Sequence, residues 1–335
     1  MKKQILAGGF VLFCVLSPLK ALAASFSSMY VFGDSLSDTG NTFNVSKALT
    51  GTGYPQPPYF EGHLSNGPNW VDYLAEDLGL NPVPVTTIAP GVLPTEGINF
   101  AFAGATTGTD NTVDPRLPAL QQEITAFQGL LAQTAQPADP NALYIVWAGA
   151  NDYLPTQSTT FTPFTTPGPS ISNLSFALNT LVQAGAKNLM VVNLPNLGEL
   201  PLTRNTPISQ GLNSLAQAHN AQLTTLTQSL GSDVNVTSVD VNTLFTNAIN
   251  NPAQFGFTNV TDPCFNNITV CNSPNQYLFW DGIHPTTATH QFIADLAFNS
   301  LNSEPSQSVP EPTSVLGLLV FSVLGSKTLF KSKFK

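Results

Sequence analysis

Short apolar runs that alternate with helical patterns are the strongest constraint on how this chain folds. The candidate strands are residues 28–33, 98–102, 142–149, 188–195 and 234–240. Between them apolar side chains recur with a period of 3.6 residues, which predicts helices over 69–80, 116–134, 171–186 and 211–230. A last helix is predicted to begin at Pro285. This alternation predicts an α/β fold in which helices cover both faces of a central parallel sheet, a three-layer α/β/α sandwich.

The first 24 residues have the pattern of a secretory signal peptide. Lys2 and Lys3 precede an apolar stretch over 5–16, and small residues follow at Ala21 and Ala23. The apolar stretch is too short for a convincing membrane span. We therefore expect an exported protein, cut after Ala23 or Ala24.

The C-terminus carries a second sorting pattern. A Pro-Glu-Pro triplet at 310–312 is followed by an apolar stretch over 315–324 and by four lysines, the last of them Lys335. An amphipathic helix or a short membrane anchor would give part of this pattern. The three parts in this order resemble the PEP-CTERM sorting signal of exported bacterial proteins. The resemblance implies export machinery and a membrane protease that removes the tail as partners, with transient anchoring at the membrane and an envelope or extracellular location.

Residues 25–304 remain as one domain once the signal (1–24) and the tail (305–335) are set aside. Four of the eleven basic side chains and all but one of the twenty acidic side chains lie in this body, an excess of fifteen negative charges. Such a balance argues against nucleic acid or an anionic membrane surface as the main partner.

Cys264 and Cys271 are the cysteines that remain in the body. They are either two free thiols or a disulfide across a short loop, and the oxidising environment of an exported chain favours the disulfide. The four histidines show no paired spacing, and the sequence has no CxxC motif, so no metal site is predicted.

The first apolar run ends in the letters GDSLSD, which take the hydroxyl of Ser35 to the end of a buried strand. One interpretation is a polar turn made by Gly33, Asp34, Ser35 and Asp38. The other is that Ser35 is a nucleophile, which then needs a base elsewhere in the chain.

A base with its own carboxylate occurs near the C-terminus, in the letters DGIHPT. Asp281 precedes His284 by three residues, and the glycine between them allows a tight turn. The carboxylate can then face one imidazole nitrogen while the other faces a neighbour, as in a Ser-His-Asp triad. A capping acid beside a surface histidine is the alternative.

Four segments together resemble the GDSL, or SGNH, hydrolase family. They are VFGDSLSDTGN, INFAFAGATT, VWAGANDY and DGIHPT, in the family's order and across nearly the whole of the body. The stretch GHLSNGPNWVDYLAEDLGL also resembles the segment that follows the first block in lipase-like members. The resemblance implies the flavodoxin-like fold of SGNH hydrolases and a serine esterase without a cofactor.

The resemblance also implies a role for each matching residue. Ser35 matches the nucleophile, His284 the base and Asp281 the residue that orients the base. Gly104 and Asn151 match the backbone and side-chain donors that, with the N–H of Ser35, form the oxyanion hole.

The implied reaction is hydrolysis of a small ester or lipid through an acyl-enzyme, of lipase, phospholipase or aryl-esterase type. A sugar-acetyl esterase or a lipid acyltransferase on the same site is an alternative, because another alcohol can compete with water for the acyl-enzyme. A catalytically idle envelope-binding protein is a third interpretation, and the complete set of site residues argues against it.

The remaining polar and aromatic candidates are expected to serve the structure. Asp38 and Asn41 shape the first loop rather than contact substrate, and Asp152 fixes the loop of Asn151. We expect His63 to be exposed to solvent rather than to line the pocket, and His219 to lie on the surface. His290 is expected to pack or to cap a helix, and Trp147 and Trp280 to lie in the core.

Overall fold

A computed structural model describes residues 25–89, 92 and 94–303 of the protein. The predicted signal, 1–24, and the predicted tail, 305–335, lie outside the described residues. The boundaries of the predicted 25–304 domain therefore stay predictions.

Strands and helices alternate along the described chain. The strands are β1 Met29–Gly33, β2 Val83–Pro84, β3 Gly97–Asn99, β4 Leu143–Trp147, β5 Asn188–Val192, β6 Asn235–Val239, β7 Asn259–Pro263 and β8 Tyr277–Phe279. The helices are α1 Asn41–Thr50, α2 Trp70–Leu78, α3 Leu120–Thr134, α4 Gly168–Ala184, α5 Ser209–Gln228, α6 Val241–Asn250 and α7 Thr287–Asn302. Across the described ranges, none of the helices has the length and apolar character needed to cross a bilayer.

Six strands form one parallel sheet in the described part of the chain, in the order β2-β3-β1-β4-β5-β6. Without the two-residue edge strand β2, the five predicted runs stand in the order 2-1-3-4-5, which is flavodoxin-like. The direction of the connections reverses at β1, so a crevice opens beyond its carboxyl end. That crevice is where Ser35 lies.

Helices cover both faces of the sheet, as the alternation of strand side chains requires. Met29 and Val31 of β1 belong to the core on one face, which α2, α6, α7 and the first half of α5 complete. Phe32 belongs to the core on the other face, with side chains of α3, α4 and the second half of α5. The predicted three-layer α/β/α fold is confirmed.

Two helices, α1 and α6, were not predicted from periodicity. The sequence of α1 is rich in Asn and Thr, which are weak helix formers. Its start is held instead by Asp38, whose side chain accepts hydrogen bonds from the N–H groups of Gly40, Asn41 and Thr42. Helix α6 begins at a local cap, since the Asp240 side chain accepts from Thr243 N.

Some helix ends differ from the prediction. Helix α3 begins at Leu120 rather than at 116, because Pro118 disfavours helical geometry in the residue before it. Helix α4 begins at Gly168 rather than at 171. Helix α7 begins at Thr287 rather than at Pro285, and Thr286 Oγ1 accepts a hydrogen bond from Thr289 N in its first turn.

Cys264 and Cys271 form the predicted disulfide. The loop that it closes is bound to the end of β8, because Cys264 N donates to Phe279 O and Phe265 N donates to Trp280 O. The covalent link therefore braces the chain next to the segment that carries Asp281 and His284.

Candidate active site

The turn after β1 requires a glycine. Gly33 has φ +157°, and a Cβ atom at this position would lie 2.2 Å from the carbonyl oxygen of Trp147 on β4. Only a residue without a side chain lets the two strands run this close before the chain turns. The turn then brings Ser35 to the carboxyl edge of the sheet.

Two buried carboxylates fix this turn from opposite sides. Glu123 of α3 accepts from Gly33 N at 2.8 Å and from Phe102 N at 3.2 Å, so it joins the ends of two neighbouring strands. Asp38 accepts from the start of α1 and from Ala103 N at 3.1 Å. The predicted loop-shaping role of Asp38 is confirmed.

Ser35, His284 and Asp281 form one hydrogen-bonded chain. The distance from His284 Nε2 to Ser35 Oγ is 2.9 Å, and the distance from His284 Nδ1 to Asp281 Oδ2 is 2.7 Å. A carboxylate beside Nδ1 favours the tautomer with the proton on Nδ1, which leaves the Nε2 lone pair to accept from the serine hydroxyl. This is the geometry of a nucleophile, a base and a residue that orients the base.

Asp281 is buried, yet its surroundings favour the ionised form. Its Oδ1 accepts from the N–H groups of Ile283 at 2.8 Å and His284 at 2.7 Å. Burial alone would raise the pKa of Asp281, but the neighbouring His284 and these hydrogen bonds outweigh it and hold the pKa below its usual value.

The segment that carries Asp281 and His284 folds back on strand β8. Trp280 N donates to His284 O at 2.7 Å, and Thr286 N donates to Leu278 O at 3.1 Å. These backbone bonds fix the position of the imidazole at the same sheet edge as Ser35.

The backbone N–H groups of Ser35 and Gly104 are free of protein acceptors in the described part of the chain. Gly104 has φ +78°, and a Cβ atom there would lie 2.6 Å from Asn111 Oδ1. Glycine is therefore required at this turn after β3. The two groups remain available to an oxygen atom of a ligand.

Asn151 stands in a short 3₁₀ turn, Ala150–Asp152, directly after β4. Its Nδ2 donates to Ala105 O at 3.1 Å and approaches Asp34 Oδ2 at 3.4 Å. These contacts bring the amide between the loop that contains Gly104 and the turn that contains Ser35. Asp152 bonds to the backbone and hydroxyl of Thr107, so its predicted loop-fixing role is confirmed.

An apolar pocket opens beside Ser35 and Asn151. Its walls come from the carboxyl ends of the strands and the segments that follow them. Besides Asp34, Ser35 and Asn151, the lining residues are all apolar: Leu36, Trp147, Ala150, Leu154, Pro195, Leu197, Leu200, Phe245, Ile283 and Pro285. Such a pocket accepts an apolar group whose reactive carbon lies near Ser35 Oγ.

Asp34, the residue before Ser35, is 1 % exposed. Burial raises the pKa of Asp34 to about 7, although a hydrogen bond from Leu36 N opposes the shift. Burial also raises the pKa of Glu123 well above its usual value. Burial therefore shifts these two carboxyls, which lie beneath the site, toward the neutral form.

A second set of Ser, His and Asp lies behind the site. His219 Nδ1 faces Tyr153 Oη at 2.9 Å and Ser170 Oγ at 3.4 Å, and Ser170 lies near Asp152. His219, Ser170 and Asp152 are all fully buried, so no substrate reaches this serine. The predicted surface position of His219 is wrong, because the helical pattern of α5 does not show that the helix is covered on this side by α4 and the Asn151 loop.

His63 is also buried, and the prediction of solvent exposure is wrong. Its Nε2 lies 2.9 Å from Asp72 Oδ2, while its Nδ1 lies 3.2 Å from Phe60 O. Burial opposes the charged form, but the bond to Asp72 prevails and raises the pKa of His63. The loop that contains His63 packs onto α2, which loop composition does not reveal.

The other expectations agree with the structure. Asn41 is buried and donates to the carbonyls of Asn99 and Ala101, so it shapes the first loop as predicted. His290 is packed in the core, and Trp147 and Trp280 are buried. Trp147 also lines the apolar pocket.

Sequence reasoning missed Tyr59. Its hydroxyl donates to Asp281 Oδ2 at 2.7 Å, across 222 residues of chain. A tyrosine in a Pro-rich loop carries no local signal for this contact. Within the described ranges, no group of three His, Cys, Asp or Glu side chains is placed to hold a metal ion.

Comparison with known proteins decides the family. The family model described as GDSL-like lipase/acylhydrolase matches residues 29–297. The chain belongs to this family. The predicted enzyme class, a hydrolase of ester bonds, is confirmed at that level.

Two relatives match along most of their length. The chain is 26 % identical over 331 residues to a phosphatidylcholine-sterol acyltransferase of Aeromonas hydrophila, covering 84 % of this chain and 91 % of that protein. It is 30 % identical over 334 residues to a GDSL esterase/lipase of Arabidopsis thaliana, covering 85 % and 91 %. A solved member of the lipolytic G-D-S-L family from Veillonella parvula is similar with a TM-score of 0.43 and 14 % identity, covering 81 % of this chain and 96 % of that one.

The buried, neutral His219 predicts acid sensitivity. Burial lowers the pKa of His219 to about 4, so between pH 6.5 and 4 the unfolded chain binds a proton that the folded chain excludes. Stability is thus lost as pH falls through this window, by about 2 kcal/mol at pH 5. We expect the difference between the urea-unfolding free energies at pH 7 and pH 5 to shrink in His219→Gln. An unchanged difference would show that His219 does not cause the loss.

Proposed function

We propose that the protein is an exported serine hydrolase that cleaves carboxylic esters through an acyl-enzyme on Ser35. The observation that carries the proposal is the continuous chain of contacts, 2.9 Å and 2.7 Å, from Ser35 through His284 to Asp281. The family supports the ester class of substrate.

The reaction follows from the order of these groups. As Ser35 Oγ attacks the carbonyl carbon, its proton passes to His284 Nε2, and Asp281 stabilises the imidazolium that forms. The imidazolium then gives the proton to the departing alcohol, which leaves the acyl group on Ser35. A water molecule, activated in turn by Nε2, releases the acid and restores the serine.

Charge that develops on the carbonyl oxygen needs donors that are already in place. We assign this role to the N–H groups of Ser35 and Gly104, which have no acceptor within the described residues, and to the amide of Asn151. One N–H of this amide is held by Ala105 O at 3.1 Å, and the other makes only a long contact of 3.4 Å with Asp34, which an oxygen atom of the substrate would replace. Asn151 adds a donor without adding charge, and Gly104 lets the substrate approach the backbone.

The apolar lining of the pocket supports an ester whose acyl group is apolar. Ten of its lining residues are apolar, and Ser35 and Asn151 lie among them. The excess of negative charge on the body would repel an anionic lipid surface, so it argues for an uncharged or zwitterionic ester as the substrate.

The triad predicts a specific mutation series on a short-chain aryl ester. Ser35→Ala and His284→Ala should each lose nearly as much activity as the double variant, because the two residues act as one unit. Asn151→Ala should lower kcat by roughly 10²–10³-fold with little change in KM. Ser37→Ala is the matched control, since it removes from the same turn a hydroxyl that accepts from Trp70 Nε1 and does not face His284. It should lower stability but keep near-native activity per folded molecule. Near-native activity in Ser35→Ala, or no labelling of Ser35 by a fluorophosphonate, would contradict the proposal.

The pocket predicts a preference for acyl length. Ile283 lines the pocket and is only partly buried, so its side chain can change size without disrupting the core. We expect Ile283→Trp to lower kcat/KM for an octanoyl ester at least tenfold relative to an acetyl ester, since lost burial costs about 0.8 kcal/mol per methylene. Ile268→Trp, on an exposed loop, is the control. Equal losses for both esters would place the acyl group elsewhere.

Export and processing predict the mass of the native protein. We expect a mature chain that begins at Ala24 or Ser25 and ends near Pro310, because both sorting patterns are present. Intact-mass measurement on protein from the native host checks both ends. A retained Lys335 would contradict removal of the tail, and a retained Met1 would contradict the signal.

A further inference from the structure

One oxygen of Asp281 receives two hydrogen bonds, and the triad accounts for only one of them. Asp281 Oδ2 faces His284 Nδ1 at 2.7 Å and also accepts from the hydroxyl of Tyr59 at 2.7 Å. With the two backbone donors on Oδ1, the carboxylate is bonded by four groups. The fourth, Tyr59, comes from a loop that carries no other group of the proposed site.

The Tyr59 ring is held on two sides by aromatic side chains. It contacts Phe265 edge-on, with centroids 5.7 Å apart, and Trp280 edge-on, with centroids 6.1 Å apart. Phe265 and Trp280 stack on each other at 5.7 Å. Phe265 follows Cys264 of the disulfide, so the braced loop, the residue before Asp281 and Tyr59 form one packed unit. Such edge-to-face contacts restrict the direction of the hydroxyl.

The Tyr59 hydroxyl stays protonated and therefore stays a donor. Burial and the neighbouring Asp281 carboxylate both raise the pKa of Tyr59. A neutral donor at 2.7 Å withdraws charge from the carboxylate without competing for the imidazole proton.

We propose that Tyr59 is a positioning residue. By donating a hydrogen bond to Asp281, it lowers the negative charge that the carboxylate presents to the imidazole, and thereby sets the pH at which His284 takes up a proton. The inference rests on the proposed role of the triad. Without the Tyr59 donor, the carboxylate attracts the imidazolium more strongly, so His284 binds its proton at higher pH. The base is then blocked over a wider range of acidic pH.

Other titratable groups lie near the pair. Asp34 and His290 lie within electrostatic range of His284, and Tyr54 lies within range of Asp281 but is a neutral phenol, because burial and Asp281 raise the pKa of Tyr54. A change confined to the Tyr59 hydroxyl therefore leaves their contributions in place.

The test is the titration of His284 in Tyr59→Phe, followed by NMR of protein with labelled histidine and assigned with His284→Asn. We expect the midpoint to move to higher pH by about half a unit, a threefold change in proton affinity. Tyr54→Phe is the matched control, because it removes a hydroxyl from the same loop that makes no hydrogen bond within the described residues. Its midpoint should equal that of the wild type. The acid limb of kcat/KM should shift with Tyr59→Phe by the same amount, with KM unchanged.

A second variant should shift the His284 midpoint in the opposite direction. It keeps the hydroxyl, so it can be used even if Tyr59→Phe does not fold. Site-specific 3-fluorotyrosine at position 59 keeps the ring and is a stronger acid, hence a stronger donor, so the midpoint should move to lower pH. An unmoved midpoint in the variants overturns the proposal, even if kcat falls, since a fall alone reports loosened packing. The titration needs no turnover. A shifted midpoint in a protein that a fluorophosphonate does not label would therefore support the role of Tyr59 and overturn the proposed hydrolase.

Discussion

The close passage of β1 and β4 is the constraint on which the site depends. Where Gly33 runs against the carbonyl of Trp147, any side chain would push the strands apart. On the side of β3, Glu123 accepts from Gly33 N and Phe102 N, and so ties the end of β1 to the segment after β3. The backbone at the start of the turn is therefore fixed, and Ser35 is held at the edge of the sheet. A nucleophile gains from this rigidity because its direction toward the base is fixed before substrate arrives.

The site draws on three kinds of support. Backbone bonds to β8 fix the segment of Asp281 and His284. Buried carboxyls bind the N–H groups of the turns at the carboxyl ends of the strands, where the sheet itself no longer satisfies them. Aromatic packing on the disulfide loop supports Tyr59 and, through it, the carboxylate. The first and the third kind both act on Asp281, and the second acts on the segment around Gly104.

The sequence allowed the prediction of the fold and of the motif residues for a clear reason. Strand runs buried on both faces are visible as apolar letters, and the spacing of Asp281 and His284 is local. Positions that depend on what packs against them could not be predicted this way. His63 and His219 stand in polar surroundings in the sequence, yet both are buried because a distant element covers them. Helix α1 could not be predicted because its start depends on Asp38 rather than on the helix propensity of its own residues. The contact of Tyr59 could not be predicted because its partner lies 222 residues away.

The distance along the chain between Ser35 and its partner has a consequence in time. The contact that joins Ser35 Oγ to His284 Nε2 spans 249 residues. A chain made from its N-terminus presents the serine first and completes β8 and α7 last. During nearly all of synthesis, Ser35 is therefore an ordinary alcohol with no base beside it. The topology therefore delays the contact between Ser35 and His284 until nearly the whole of the described domain has been made.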